Sequence, residues 1–316
     1  MSDSVTVELD AQYRQLREEC GLLERGERGR LLVKGADAAE FLQGQLTNEI
    51  EALEPGQGCY AALLDRKGHL QADMRVLRLA ADELWIDTEP EGLETTRRHL
   101  QMYKIGREVE VEDAGEMAIL SLLGPRSAEV AAVPAPAELS FVEAKVAGVG
   151  CIAAGTNGGI DLIADAAEAD RLREALLEAG AAPVGLEAVE ILRVEAGVPR
   201  FGAEMSSETM PAEAGIVERA VSFTKGCYIG QEPVARLHYK GRPNRHLRGL
   251  ALSAPAESGA PLRLGEREVG RIGTACVSPV HGPIALAVVR REAEQGAELS
   301  VGVDGVTAQV ADLPFG

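Results

Sequence analysis

From about His246 to the end, the chain consists of short runs of valine, leucine and isoleucine, broken every few residues by glycine or proline. Hardly any helical periodicity survives there, so this stretch can bury its apolar side chains only as paired strands. The simplest solution is a small barrel, whose closure leaves no strand edge exposed. Upstream the texture is different, with strand-like and helix-like runs alternating. A chain of 316 residues is also too long for one compact unit. The sequence therefore predicts two or three domains, with a first region over residues 1–245 and an all-β domain over 246–316.

Within the first region, "GRLLVKG" reads as a short strand and "GADAAEFLQGQLTNEI" as a helix opened near Asp37, with Phe41, Leu42 and Leu46 on one face. After the turn signal "EPGQG", three strand-like runs between Cys59 and Thr88 are separated by polar breaks, the pattern of an antiparallel meander. "EGLETTRRHLQMYK" follows as a helix. "VEVEDAGEMAILSLLGPRSAEV" then returns to strand and turns at Gly124-Pro125 into another helix. Two apolar runs flank Asn157-Gly158-Gly159, a hairpin signal. "DAAEADRLREALLEAG" has Asp165 to cap a helix, Leu172 and Leu176 on one face, and Gly180 to end it. "GLEAVEILRVEAG" reads as a further helix ending at Gly197.

The formal net charge is -18, which disfavours binding nucleic acid or an anionic membrane through the whole surface. Aromatic residues are only 3% of the chain, too few for an extended base-stacking platform, so extensive direct nucleic-acid binding is not expected. No apolar run approaches membrane-spanning length, and the N-terminus lacks the pattern of a secretory or transit segment, so the expected location is the cytoplasm. Five scattered cysteines without a C-x-x-C pair fit a reducing compartment. The five histidines show no metal-ligand spacing, and no metal is expected.

Against that acidic background, "TKGCYIGQEPVARLHYKGRPNRHLRG" (224–249) stands out. From Lys225 to Arg248 it carries Lys225, Arg236, Lys240, Arg242, Arg245 and Arg248 against the single acid Glu232, a local charge of +5. Such a segment suits an anionic ligand: carboxylates, phosphates or a short piece of nucleic acid. Cys227 sits between Gly226 and Gly230, beside Lys225. Nearby cations favour thiolate, so the cysteine is either a reactive group or a small buried hydrophobe. Asp73, in "GHLQADMRV", is either an acceptor for an amine or a pterin-like ring or an ordinary turn or edge-strand acid. Glu195 stands at a predicted helix end, where the dipole disfavours an anion, and must be solvated or have a specific cationic or N–H partner.

"KGCYIGQE" (225–232) resembles the signature of the YgfZ-type folate-binding proteins, relatives of the glycine-cleavage aminomethyltransferase. The segments "GADAAEFLQGQLTNEI", "LEPGQGCYAALLDRKGHLQAD", "LLGPRSAEV", "VGLEAVEILRVEAGVPRFGAEM" and "PAEAGIVERAVSFTKGCYIGQE" resemble family segments in the same order. The resemblance implies intertwined α+β subdomains, a C-terminal β-barrel, and tetrahydrofolate or a one-carbon derivative as ligand. It also implies a function: an accessory protein for assembling or repairing iron–sulfur enzymes, tRNA-modifying radical enzymes among them, with iron–sulfur client or assembly proteins as partners. By the same resemblance Cys227, Lys225 and Asp73 are the candidate reactive residues. Glu195, Asp73, Tyr228, Gln231, Arg236 and Arg242 are the candidate folate contacts. Ala72 stands where the aminomethyltransferases carry the first of two acids. The alternatives are a tetrahydrofolate-dependent aminomethyltransferase and a ligand-free adaptor docking acidic partners or tRNA.

Overall fold

A computed structural model of the chain describes residues 2–303 and 305–316, with side chains from Glu8 onward. Its residues group into two compact units. The first comprises Met1–Ala61 with Asp73–Val189, and the second comprises Ala62–Ala72 with Glu190–Gly316.

The first unit is organised on two sheets. In one, strands follow the order Gly58–Leu64, Leu70–Ala80, Glu83–Thr88, Gly29–Lys34 and Glu110–Asp113. The expected meander is its first three members. In the other the order is Ala182–Pro183, Gly21–Glu24, Met117–Leu123, Gly159–Asp165, Val149–Thr156 and Phe141–Val146. The hairpin at Asn157-Gly158 joins two of these, with Gly158 at φ 107° as the turn requires. Leu77 and Trp85 of the first sheet pack with Ile119, Phe141, Ala154 and Ile163 of the second in a shared apolar core. Leu172 and Leu176, on the helix Ala169–Glu178, cover the second sheet with Leu120, Leu122 and Leu162. Asp165 accepts from the Ala167 N–H, the expected cap, although a single 3₁₀ turn precedes the helix. Asp37 occupies its predicted cap position but accepts from the Glu108 N–H instead of its own helix.

In the second unit the tail forms a closed six-strand barrel. Arg245–Leu252, Val306–Ala311, Glu298–Val301, Pro261–Leu264, Arg267–Arg271 and Gly282–Arg290 follow one another, and the last pairs back onto the first. Thr274–Ser278 adds to the Gly282–Arg290 strand outside the ring. Leu250, Leu262, Val289, Leu299 and Val310 fill the interior. The unit reaches beyond the expected 246–316, since it takes in everything from Glu190 and the turn between two first-unit strands, Ala62–Ala72. That turn is tied in by Leu70 N–H donating to the Thr209 carbonyl at 2.9 Å.

Two helices of ten or more residues were not legible in the sequence pattern. Ser2–Glu18 opens the chain, and Gln231–Lys240 forms the centre of the basic segment, starting immediately after Gly230. Gly230 has φ 84°, and a Cβ there would lie 2.5 Å from the Asp65 carbonyl oxygen. Gly230→Ala is therefore strained in backbone and in contact, and is expected to cost about 1–3 kcal/mol, read as a lower midpoint in urea unfolding.

Candidate functional site

Strand periodicity places Asp73 and Arg75 on one face of Leu70–Ala80, and Trp85 and Asp87 on one face of Glu83–Thr88. The register sets Arg75 opposite Asp87. Asp87, 2% exposed, is surrounded by donors. Its Oδ2 accepts from Arg75 Nε at 2.8 Å and Trp85 Nε1 at 3.1 Å, and its Oδ1 accepts from Arg28 Nη2 at 2.6 Å and Nε at 3.1 Å. Arg75 Nη1 continues to Asp161 Oδ2 at 2.8 Å, and Asp161 Oδ1 accepts from the Ser121 hydroxyl at 2.5 Å. Arg28 also pairs with Glu89. Although burial opposes ionisation, the two arginines hold the Asp87 carboxyl well below the usual carboxylate range.

Asp73 lies beside this network under different conditions. Its Oδ2 accepts from the Tyr60 hydroxyl at 2.6 Å, and its backbone carbonyl accepts from Thr88 Oγ1 at 2.6 Å. Its Oδ1 is buried without a hydrogen-bond partner. Burial pushes the Asp73 carboxyl above the ordinary carboxylate value; the Tyr60 hydrogen bond and the Arg28 charge pull it back only in part. An orphaned buried acceptor costs about 1–3 kcal/mol, which is offset when a ligand supplies the missing donor. A ring bearing an N–H is chemically suited to that oxygen, as the sequence reading expects.

Glu195 closes the helix Leu186–Glu195 and is 7% exposed. Ser278 Oγ donates to its Oε1 at 2.6 Å. Ser278 is itself fixed by the N–H groups of Val280 and His281 at 3.0 and 2.9 Å. Burial and the Glu195 charge together raise the neighbouring Cys276 thiol to about 12.

The "KGCYIGQE" segment divides into buried and exposed parts. Cys227 is exposed, whereas Lys225 and Tyr228 are buried. The Lys225 ammonium lies 5.2 Å from the Tyr228 ring centroid, a cation–π distance. The Tyr228 hydroxyl is buried with no hydrogen-bond partner, and burial raises it to about 12. Gln231 is the first residue of the helix Gln231–Lys240, its N–H reaching the Tyr228 carbonyl at 3.3 Å.

The continuous basic strip expected from the sequence is broken by local pairing. Arg236 is bound to Glu232 at 2.6 Å and Arg245 to Glu213 at 2.9 and 3.0 Å, while Lys225 is turned inward. Lys240 and Arg242 remain exposed. Lys67, Arg236 and Lys240 rim a groove of about 470 Å³ floored by Met210, Pro233 and Leu237.

These features define an α+β protein with a C-terminal closed barrel and a buried carboxyl short of one donor. Residues 3–225 match the family described as GCVT N-terminal domain, and residues 245–315 match the one described as Glycine cleavage T-protein C-terminal barrel domain; the chain belongs to this glycine cleavage T-protein family. An aminomethyltransferase of Rubrobacter xylanophilus is 31% identical over 97% of this chain and 86% of its own. Another, from Thermus thermophilus, is 32% identical over 96% and 89%. The crystal structure of glycine cleavage system aminomethyltransferase T from Bartonella henselae superposes with a TM-score of 0.88 over 98% of this chain and 89% of that one, at 24% identity, and shares the fold.

The comparisons support the superfamily part of the expected resemblance and not its YgfZ-type refinement. The expected role in iron–sulfur assembly, with iron–sulfur clients, is overturned by these nearly full-length relatives named aminomethyltransferase. Tetrahydrofolate as ligand accords with the family. Among the described residues no helix is long and apolar enough to cross a membrane.

Because the Asp73 carboxyl is raised, its ionised form destabilises the fold at neutral pH, and this penalty disappears as pH falls through the raised value. Asp73→Asn is accordingly expected to raise the thermal midpoint at pH 8 and to leave it nearly unchanged under acid conditions. Asp87 has the opposite sign: its lowered value contributes stability above the unfolded carboxylate range, lost as pH falls toward the folded value. Asp87→Asn is expected to cost about 1–3 kcal/mol at pH 7, because it removes the anion that Arg28 and Arg75 share and leaves each with one acidic partner. Calorimetric melting at both pH values checks the pair.

Proposed function

We propose that this chain is a tetrahydrofolate-dependent aminomethyltransferase of the glycine-cleavage type. The reading is carried by the similarity, over nearly the whole chain and through both matched domains, to proteins named aminomethyltransferase. The structure adds a carboxyl suited to it. When bound, tetrahydrofolate would supply the ring amines that take up the one-carbon unit as the aminomethyl carrier releases ammonia.

Asp73 would present Oδ1 to a folate N–H and hold or return a proton there, a role favoured by a carboxyl that burial raises above its ordinary value. Ala72, fully buried, offers no second acid, so Asp73 carries this role alone. Within the second unit, Glu195, fixed by Ser278, is a separate candidate folate contact, as are Tyr228 and Gln231. Lys240 and Arg242 would attract the glutamyl carboxylates, with Arg236 sharing its charge between those and Glu232.

Two measurements test the reading. Anaerobic calorimetry with tetrahydrofolate is expected to give saturable binding that Glu195→Ala weakens. With an aminomethyl-loaded carrier protein, the wild-type chain is expected to release ammonia and form methylene-tetrahydrofolate, and Asp73→Asn to lower turnover by about 10²-fold or more. This scheme assigns Cys227 no step, so Cys227→Ala should retain wild-type turnover. Absence of folate binding at millimolar ligand, or of ammonia release with the loaded carrier, overturns the proposal.

A further inference from the structure

The Asp73 carboxyl is asymmetric, and its surroundings say what makes it so. Its two oxygens have the same intrinsic basicity, yet one is tied and the other is not. Oδ2 receives the Tyr60 hydroxyl, from the strand Gly58–Leu64, at 2.6 Å. Thr88, from Glu83–Thr88, fixes the Asp73 backbone through its carbonyl. With the backbone carbonyl and Oδ2 bonded, Oδ1 is the oxygen left to meet a ligand.

The charges facing Asp73 come from the elements around it. Arg28 precedes the strand Gly29–Lys34 and is the cation that acts on Asp73; Asp87, on Glu83–Thr88, is the opposing anion. Arg75 shares the Asp73 strand but is committed to Asp87 and Asp161. Arg28 is held on both sides, by Asp87 and by Glu89, so its position is set independently of Asp73. A fixed cation that does not itself hydrogen-bond the carboxyl adjusts its proton affinity without occupying its oxygens.

We propose that Tyr60 and Arg28 are positioning residues for the folate-handling carboxyl: Tyr60 dedicates Asp73 Oδ2 to the protein so that Oδ1 faces the ligand, and Arg28, anchored by Asp87 and Glu89, is a fixed neighbouring cation. This inference rests on the aminomethyltransferase reading for its ligand, but the clamp itself is a property of the unliganded protein. Neither residue touches the reacting atoms in this scheme. Tyr60 acts through a hydrogen bond and Arg28 through its field.

The test reads the carboxyl directly. Infrared spectra of the ligand-free protein in heavy water, recorded against pH, contain a protonated-carboxyl band that is identified as Asp73 by its loss in Asp73→Asn. In Tyr60→Phe, which keeps the ring and removes only the hydroxyl, the midpoint of that band is expected to move to higher pH. Tetrahydrofolate affinity, measured by calorimetry, is expected to fall about tenfold, the equivalent of one misaligned charge-assisted hydrogen bond. Arg28→Gln is expected to shift the midpoint in the same direction, and Arg28→Lys to restore most of it, a rescue that a packing role alone does not produce. An unmoved midpoint in Tyr60→Phe overturns the role of Tyr60, and equal midpoints in Arg28→Gln and wild type overturn that of Arg28. If the midpoints move but the wild-type protein binds no tetrahydrofolate, the enzyme reading falls and the carboxyl clamp stands without it.

Discussion

Asp87 is the fixed point of the first unit. A carboxylate 2% exposed would ordinarily be expelled or neutralised, and here it is retained because four hydrogen bonds from Arg28, Arg75 and Trp85 converge on its two oxygens. Through Arg75 the same group is joined to Asp161 on the other sheet, so the polar network runs alongside the apolar contacts of Leu77 and Trp85 with Ile119 and Ile163. An apolar interface alone tolerates sliding. A chain of directional ion pairs fixes register as well, and in that register Asp73 meets the Tyr60 hydroxyl.

The same network separates two carboxyls with opposite roles. Asp87 is surrounded by cations and stays ionised, whereas Asp73, two strand positions from Arg75, lacks a direct cationic hydrogen bond and is raised by burial. Environments that push two neighbouring acids apart are the usual way a site obtains one structural anion and one group able to exchange a proton. Stability and function are then in tension at Asp73, because the orphaned oxygen and the buried charge that weaken the fold are the features that would receive a ligand.

Much of the architecture was legible from local patterns. The meander ends at polar breaks, the hairpin at Asn157-Gly158-Gly159 uses a turn that only a few residues permit, and the barrel begins within a residue of the change in texture at His246. The helix Gln231–Lys240 was not legible, because its sequence reads first as charge and only Val234 is buried. At the candidate site, Asp73 and Glu195 could be picked out singly, but Tyr60, Arg28, Arg75, Asp87 and Asp161 were missed. Their signal was present: an arginine in "DMRV" and aspartates in "LWIDT" and "GIDLIAD" interrupt apolar strands at positions that face inward. What the sequence lacked was the pairing that brings those interruptions together, since Arg75 meets Asp161 across 86 residues and two sheets.

The basic segment shows why a short motif outran its meaning. Several of the residues that made "KGCYIGQE" conspicuous also serve the local structure. Gly230 takes a left-handed conformation against the Asp65 carbonyl, Lys225 lies over Tyr228, and Glu232 binds Arg236 one turn further along the helix. The segment's excess of positive charge likewise shrinks once Arg236 and Arg245 are paired. The motif therefore locates a constrained turn in the second unit, and the proposed chemistry looks instead to residues whose polar groups the fold leaves unsatisfied. Asp73 meets that condition through an oxygen the protein buries and does not pair.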